Sequence, residues 1–251
     1  MVEDRAMRFH LRRRRPERTE RPLVNDEDAG WIGHARRPFD AYAVGSLVPV
    51  VFEQYARVLH PAWAGPDAPV QWNAVAAWSG RTLHALAQWD FVSRPLGEIR
   101  APRPFVQPPR PGGLPPHELE RLCSVLAACT STADRCFLGI WEGYGGLPLS
   151  EWASGSELRL DQRTFLVTEG PISTATRVDW RDPGALLPEP PTLMWPADRA
   201  WFVASDVDLD STYVGGSEDL IAAVLAEPGL EAWPANSTDR VSIDSDSINA
   251  M

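Results

Sequence analysis

Thr192-Leu-Met-Trp195, Ala200-Trp-Phe-Val-Ala-Ser-Asp-Val207 and Ser217-Glu-Asp-Leu-Ile-Ala-Ala-Val-Leu225 decide the fold class. The first two are short apolar runs set off by proline and charged residues, and they read as strands. The third reads as a helix: Ser217 supplies an N-cap, Glu218 and Asp219 fill the first turn, and Pro228-Gly229 stops it. Working backwards, Cys136-Phe-Leu-Gly-Ile-Trp-Glu142 reads as a strand closed by Gly143-Tyr-Gly-Gly146, and residues 157–160 and 164–168 are strand-like. Residues 116–129 read as a helix, with Glu118 and Glu120 in the first turn and Leu119, Leu122, Cys123 and Leu126 as its buried stripe. Leu230 to Trp233 reads as a last strand. Strands and helices in mixed order, without regular βαβ alternation, predict an α+β fold: a mixed, mainly antiparallel sheet flanked by helices.

Nearer the start, residues 40–49 read as a strand and residues 50–59 as a helix, because Phe52, Tyr55, Ala56 and Leu59 fall at i, i+3, i+4 and i+7 before His60-Pro61. Residues 70–78 read as a helix with Trp72 and Val75 inward, and 81–89 as a third. Eight prolines between Pro95 and Pro116 mark a Pro-rich connecting segment, either a stiff linker or a long loop. The expected organisation is a disordered Arg-rich tail over 1–30, an N-terminal α/β subdomain over 31–94, the Pro-rich segment over 95–116, a C-terminal α+β domain over 117–234 and an acidic tail over 235–251.

Composition removes several chemistries. The chain of 251 residues has 24 basic side chains, all arginine, so no Schiff-base, pyridoxal-phosphate or phosphate-loop lysine exists. Residues 1–21 hold eight arginines and four acids, a net of +4; subtracting this from the whole leaves the other 230 residues at −14. Such a body steers toward a basic partner and away from nucleic acid, for which only the Arg-rich tail has the right charge. No uncharged apolar run approaches the ~18 residues that span a bilayer, and no apolar leader follows the first arginines, so a cytoplasmic protein without a membrane partner is expected. Three cysteines, Cys123, Cys129 and Cys136, do not resemble a disulfide framework, and together with His117 they lack zinc-ligand spacing.

Two groups of residues could form a site. Asp206-Val-Asp208-Leu-Asp210 would place three carboxylates on one face of a continuing strand, able to hold a hard cation. Asp208, Asp210 and Thr212 also resemble an aspartate-nucleophile phosphatase signature, while as a calcium loop the segment has Ser211 and Ser217 where glycine and glutamate belong. The third reading is a solvated turn whose acids deter edge pairing. The second group is aromatic: Trp141, Glu142 and Tyr144, and Trp195, Asp198, Arg199 and Trp201, where tryptophan beside charged and turn residues has the composition of a binding surface. The competing reading has these tryptophans capping the core of the sheet. No cofactor is implied by any motif.

Three stretches carry a resemblance: Phe39-Asp-Ala-Tyr-Ala-Val-Gly-Ser-Leu-Val-Pro49 with its continuation to Pro61, Asp134-Arg-Cys-Phe-Leu-Gly-Ile-Trp-Glu-Gly-Tyr-Gly145, and Trp195 through Gly216. They resemble a family of uncharacterised proteins of high-GC actinobacteria, and the all-arginine basic set agrees with such a source. The Trp-Glu-Gly-Tyr-Gly strand and acidic body are also similar to small α+β immunity-type proteins. The family resemblance carries no assigned activity, cofactor or catalytic residue. The acidic body, with the immunity-type similarity, leads to the expectation of a non-enzymatic protein–protein interaction module, immunity-like or regulatory, with an acidic surface; the alternative is a divalent-metal-dependent hydrolase or phosphatase centred on Asp206, Asp208 and Asp210.

Overall fold

The computed structural model describes residues 22–143, 156–177 and 189–250. In chain order these form α1 (Asp26–His34), α2 (Val44–Leu47), β1 (Gln54–Leu59), β2 (Ala62–Gly65), β3 (Ala68–Val70), α3 (Trp72–Ser79), α4 (Trp89–Val92), α5 (Pro116–Ala128), β4 (Cys136–Trp141), β5 (Ser156–Leu160), β6 (Arg163–Gly170), β7 (Leu193–Pro196), β8 (Phe202–Ser205), β9 (Ser211–Gly216), α6 (Glu218–Ala226) and β10 (Ala232–Ala235). Eight strands make one sheet in the order β10-β1-β9-β8-β7-β4-β6-β5, every neighbouring pair antiparallel, and β2 and β3 form a separate hairpin. The fold is therefore α+β.

Alternation along the strands builds a core on each face of the sheet. Val58, Leu138, Met194, Val203 and Val214 pack with Leu122 and Leu126 of α5 and Ile221 and Val224 of α6. Tyr55, Phe137, Trp195, Phe202 and Tyr213 pack with Ile32 of α1 and with Val44 and Leu47 of α2. A third cluster joins Leu59, Trp72, Val75, Trp89 and Phe105 around α3 and α4. Both long helices start as their sequences dictate: α5 has Pro115-Pro116 at its entry, and Ser217 Oγ accepts the Leu220 N–H of α6 at 3.3 Å.

Five expectations need correction, the first being the disordered tail over 1–30: Asn25 caps α1, Ala29 is buried and the Val24 N–H donates to the Glu157 carbonyl, so residues 22–30 belong to the fold. Residues 54–59 are a strand, not a helix: β1 lies inside the sheet between β9 and β10, with five of its six residues buried, so no polar alternation marks it as a strand. Residues 40–49 are not a strand but a tight turn followed by α2, because Tyr42 takes a left-handed backbone at φ 46° and Ser46 Oγ accepts the Ala43 N–H. Residues 81–88 form no helix, and the helix there is only the short Trp89–Val92. Beyond Ala235 the chain is docked, not a free acidic tail: the carbonyls of Ser237 and Asp239 accept the N–H groups of Gly45 and Val44 at 2.9 Å, and fully buried Asp246 accepts from Gln88 N and Asn249 N and pairs with His84.

The Pro-rich segment is also packed. Phe105 and Leu114 enter two of the cores, the Gly112 N–H donates to the Leu209 carbonyl, and β1 places residues from 31–94 in the same sheet as residues from 117–234. Buried His60 ties this segment down. A carbonyl can only accept, so Nδ1 carries the proton that bonds the Arg110 carbonyl at 2.9 Å, and Nε2 accepts the Thr212 hydroxyl at 2.9 Å. Thr212 Oγ1 in turn accepts the Ser205 hydroxyl at 2.7 Å. Burial, aided by the charge of Arg57, holds the His60 imidazole down at about 4. An unfolded histidine titrates near 6.5, so between these values the unfolded chain binds a proton that the folded one refuses, and stability rises with pH. Lowering the pH from 7 to about 4 is expected to remove about 3 kcal/mol through this one group. Urea midpoints at both pH values check this; a His60→Gln variant with the same acid sensitivity as the wild type refutes it.

Candidate binding cleft

On the face covered by α1 and α2 the sheet is left open over the starts of β6 and β7 and the end of β8, and a cleft of about 490 Å3 lies there. Leu47, Leu160, Phe165, Leu193 and Ala204 form its apolar floor. Three pieces of chain raise the rim: Arg36–Asp40 between α1 and α2, the β5–β6 turn at Asp161 and Gln162, and the β8–β9 loop that begins at Asp206. Asp161 makes the first turn possible by adopting a left-handed backbone at φ 53°, which aspartate tolerates better than most side chains.

Two arginines cross the rim. The Arg163 guanidinium is held by Asp206 and lies 4.9 Å from the Phe39 ring and 5.3 Å from the Trp141 ring. Arg36, whose side chain is only 9% exposed, donates through Nε to the Ser46 carbonyl at 2.8 Å and pairs with Asp161 at 3.3 Å. Burial pushes the Arg36 guanidinium down from its usual range, Asp161 pushes it back up, and the neighbouring charge of Arg163 lowers it again. It stays a cation. With Asp40 exposed on the same rim, three carboxylates face two guanidiniums.

The expected aspartate triad does not converge. The strand ends at Ser205 and resumes at Ser211, and the intervening loop is an aspartate turn: Asp206 Oδ1 accepts the Asp208 N–H at 3.2 Å and its carbonyl accepts that of Leu209 at 3.0 Å. Asp206 turns to Arg163, Asp208 is exposed, and Asp210 turns to Arg57 at 3.6 Å. Burial raises the Asp210 carboxyl and the Arg57 charge lowers it, with a net upward shift. Among the described residues no group of three or more histidine, cysteine, aspartate or glutamate side chains is placed to hold a metal ion. Cys123 and Cys136 are thiols in the helix-side core, pushed by burial to about 12 and about 11.

The aromatic candidates separate in the same way. Trp195 and Trp201 have no exposed surface and are core residues, not interface anchors. Trp195 stacks between Phe137 and Phe202, and the Trp201 indole N–H donates to the Leu126 carbonyl at 3.1 Å. Asp198 is a turn latch: it accepts from Thr130 Oγ1 and Ser131 Oγ at 2.8 Å and from Ser131 N at 2.7 Å, and although burial pushes its carboxyl up, these bonds hold it below the usual range. Arg199, left-handed at φ 59°, lies over Trp31 and donates to the Glu27 carbonyl. Glu142 donates its N–H to the Thr164 carbonyl, and Tyr144 lies outside the described residues. Of the predicted residues, Asp206 lines the cleft, and Trp141 lies behind it against Arg163. Arg36, Phe39 and Arg163 were missed, since each gains its role from a partner distant in sequence.

Among the described residues no helix is long and apolar enough to cross a membrane. No family model matches the chain, and no curated protein or solved structure matches it.

Proposed function

We propose that the protein is a non-enzymatic cytoplasmic binding module, of immunity or regulatory type, that takes a short segment of a basic partner protein into this cleft. An apolar side chain of the segment covers the floor of Leu160, Phe165 and Leu193, and an adjacent arginine or lysine meets the rim. The carrying observation is the combination of an apolar floor with a rim of three carboxylates whose two guanidiniums are already held by Asp161 and Asp206. Fixed ion pairs beside an apolar pocket supply orientation at little reorganisation cost. The excess of 14 negative charges outside residues 1–21 favours the same kind of partner and speeds its approach.

Panning a random peptide library against the full chain tests the reading. Recovered peptides should carry an aliphatic or aromatic residue next to arginine or lysine and should bind more weakly as salt rises. The exposed Asp40→Arg variant, which leaves the core untouched, should weaken them roughly threefold to tenfold. Peptides without basic residues, or equal affinity for Asp40→Arg, would count against it.

A further inference from the structure

A second cavity, of about 470 Å3, lies on the far side of the sheet edge, where the β2–β3 hairpin and the start of α3 approach the start of α5. Leu59, Pro61, Pro69 and Val70 make it largely apolar. Its polar groups are unusual. Glu118, in the first turn of α5, is 6% exposed, and its Oε2 has no hydrogen-bond partner. Arg121, one turn along the helix, lines the same cavity; its Nη1 holds Glu227 at 3.2 Å, but its buried Nε has no partner either. The third acid, Glu231, is already engaged. It caps α3 from outside, accepting the Asn73 N–H at 2.7 Å and that of Trp72, because Gln71 gives no side-chain cap.

A buried carboxylate oxygen without a donor and a buried N–H without an acceptor are each destabilising. The α5 dipole favours a negative charge at Glu118 but supplies no donor to Oε2. Both side chains line a single cavity although these two atoms themselves have almost no accessible surface, so a turn of each side chain toward an occupant bearing a donor cation and an acceptor would satisfy both at once. We propose that this cavity binds a small amine carrying a hydrogen-bond acceptor beside its ammonium group and an apolar tail, as in an amino-acid amide: the ammonium to Glu118, the acceptor to Arg121 Nε and the tail against Leu59 and Val70. The cavity size suits such a molecule. The inference is independent of the cleft on the opposite face.

Calorimetric titration of the full chain with leucinamide at neutral pH tests it, with N-acetyl-leucinamide, which has no ammonium, and isoamylamine, which has no acceptor, as controls. Saturable one-to-one binding of leucinamide is expected, at least tenfold weaker for either control and for Glu118→Gln. Because Glu118 is buried, Ala74→Trp provides an independent block: Ala74 is an exposed residue of α3 at the cavity wall, so this variant should stay folded and lose binding. No saturable heat with leucinamide, or affinity unchanged by Glu118→Gln and Ala74→Trp, overturns the proposal. Isoamylamine binding as tightly as leucinamide removes the role given to Arg121 and overturns it in that form.

Discussion

Replacing Arg57 with methionine is expected to lower the free energy of unfolding by about 3–5 kcal/mol, the range for breaking a buried ion pair from one side. The Arg57 side chain is 3% exposed in the middle strand of three, β10-β1-β9. Its Nε donates to Ser211 Oγ at 2.9 Å, and its Nη1 donates to the carbonyls of Ala85 at 3.0 Å and Ala87 at 2.7 Å. Its Nη2 faces Asp210, and the guanidinium lies 5.6 Å from the Trp72 ring. Methionine keeps much of the apolar stem, so most of the loss comes from leaving two carbonyls without their donor and the Asp210 carboxylate without its counter-charge. Converting the partner as well, in Arg57→Met with Asp210→Asn, should recover part of the loss because the stranded charge is gone. Urea unfolding of the two variants measures both values; a loss below about 1 kcal/mol for Arg57→Met would mean that solvent reaches this group freely.

Trp195→Ala is expected to cost about 3–5 kcal/mol, as for large aromatic truncations in a packed core. The indole is stacked at 5.3 Å from Phe137 and 5.8 Å from Phe202, and its N–H donates to the Asp28 carbonyl at 3.1 Å, fastening α1 to the sheet. The variant therefore opens a cavity and releases a helix together. Chemical denaturation reads the loss directly. Unchanged stability with altered partner binding would restore Trp195 as a surface anchor and contradict its complete burial.

Elements that carry their own signals were readable from the sequence. The α5 and α6 helices have acidic first turns and apolar stripes, and α6 also has its Ser217 cap, while β4, β6, β7 and β8 are apolar runs bounded by turn residues. The β1 strand was not readable, because burial on both faces erases the alternation that separates strand from helix, and its neighbours β9 and β10 are more than 150 residues away in sequence. The docked chain after Ala235 was missed for a related reason: Asp246 reads as one more solvated acid until Gln88 and Asn249 are placed against it. At the cleft, Asp206 stands out locally, whereas Arg163 is an ordinary strand arginine until the sheet sets it against both Asp206 and Trp141. Glu118 illustrates the same limit in reverse, since a first-turn acid is a routine helix signal and only burial without a partner makes it chemically demanding.

The position of β1 fixes the order in which the molecule can be assembled. A strand that ends at Leu59 has no hydrogen-bonding neighbour in the large sheet until Ser211–Gly216 and Ala232–Ala235 have been synthesised. Until then it is an apolar ribbon with two open edges, the feature that invites intermolecular pairing. Closing loops of this length puts the molecule among slow, topologically complex folders. The interactions of Arg57 with Ser211 and Asp210 and of His60 with Thr212 all lie across that seam, so neither set of bonds can be completed before residues 210–212 have been synthesised. A nascent chain halted before residue 211 would carry an incomplete sheet, and its survival would depend on how long that ribbon can be kept from other chains.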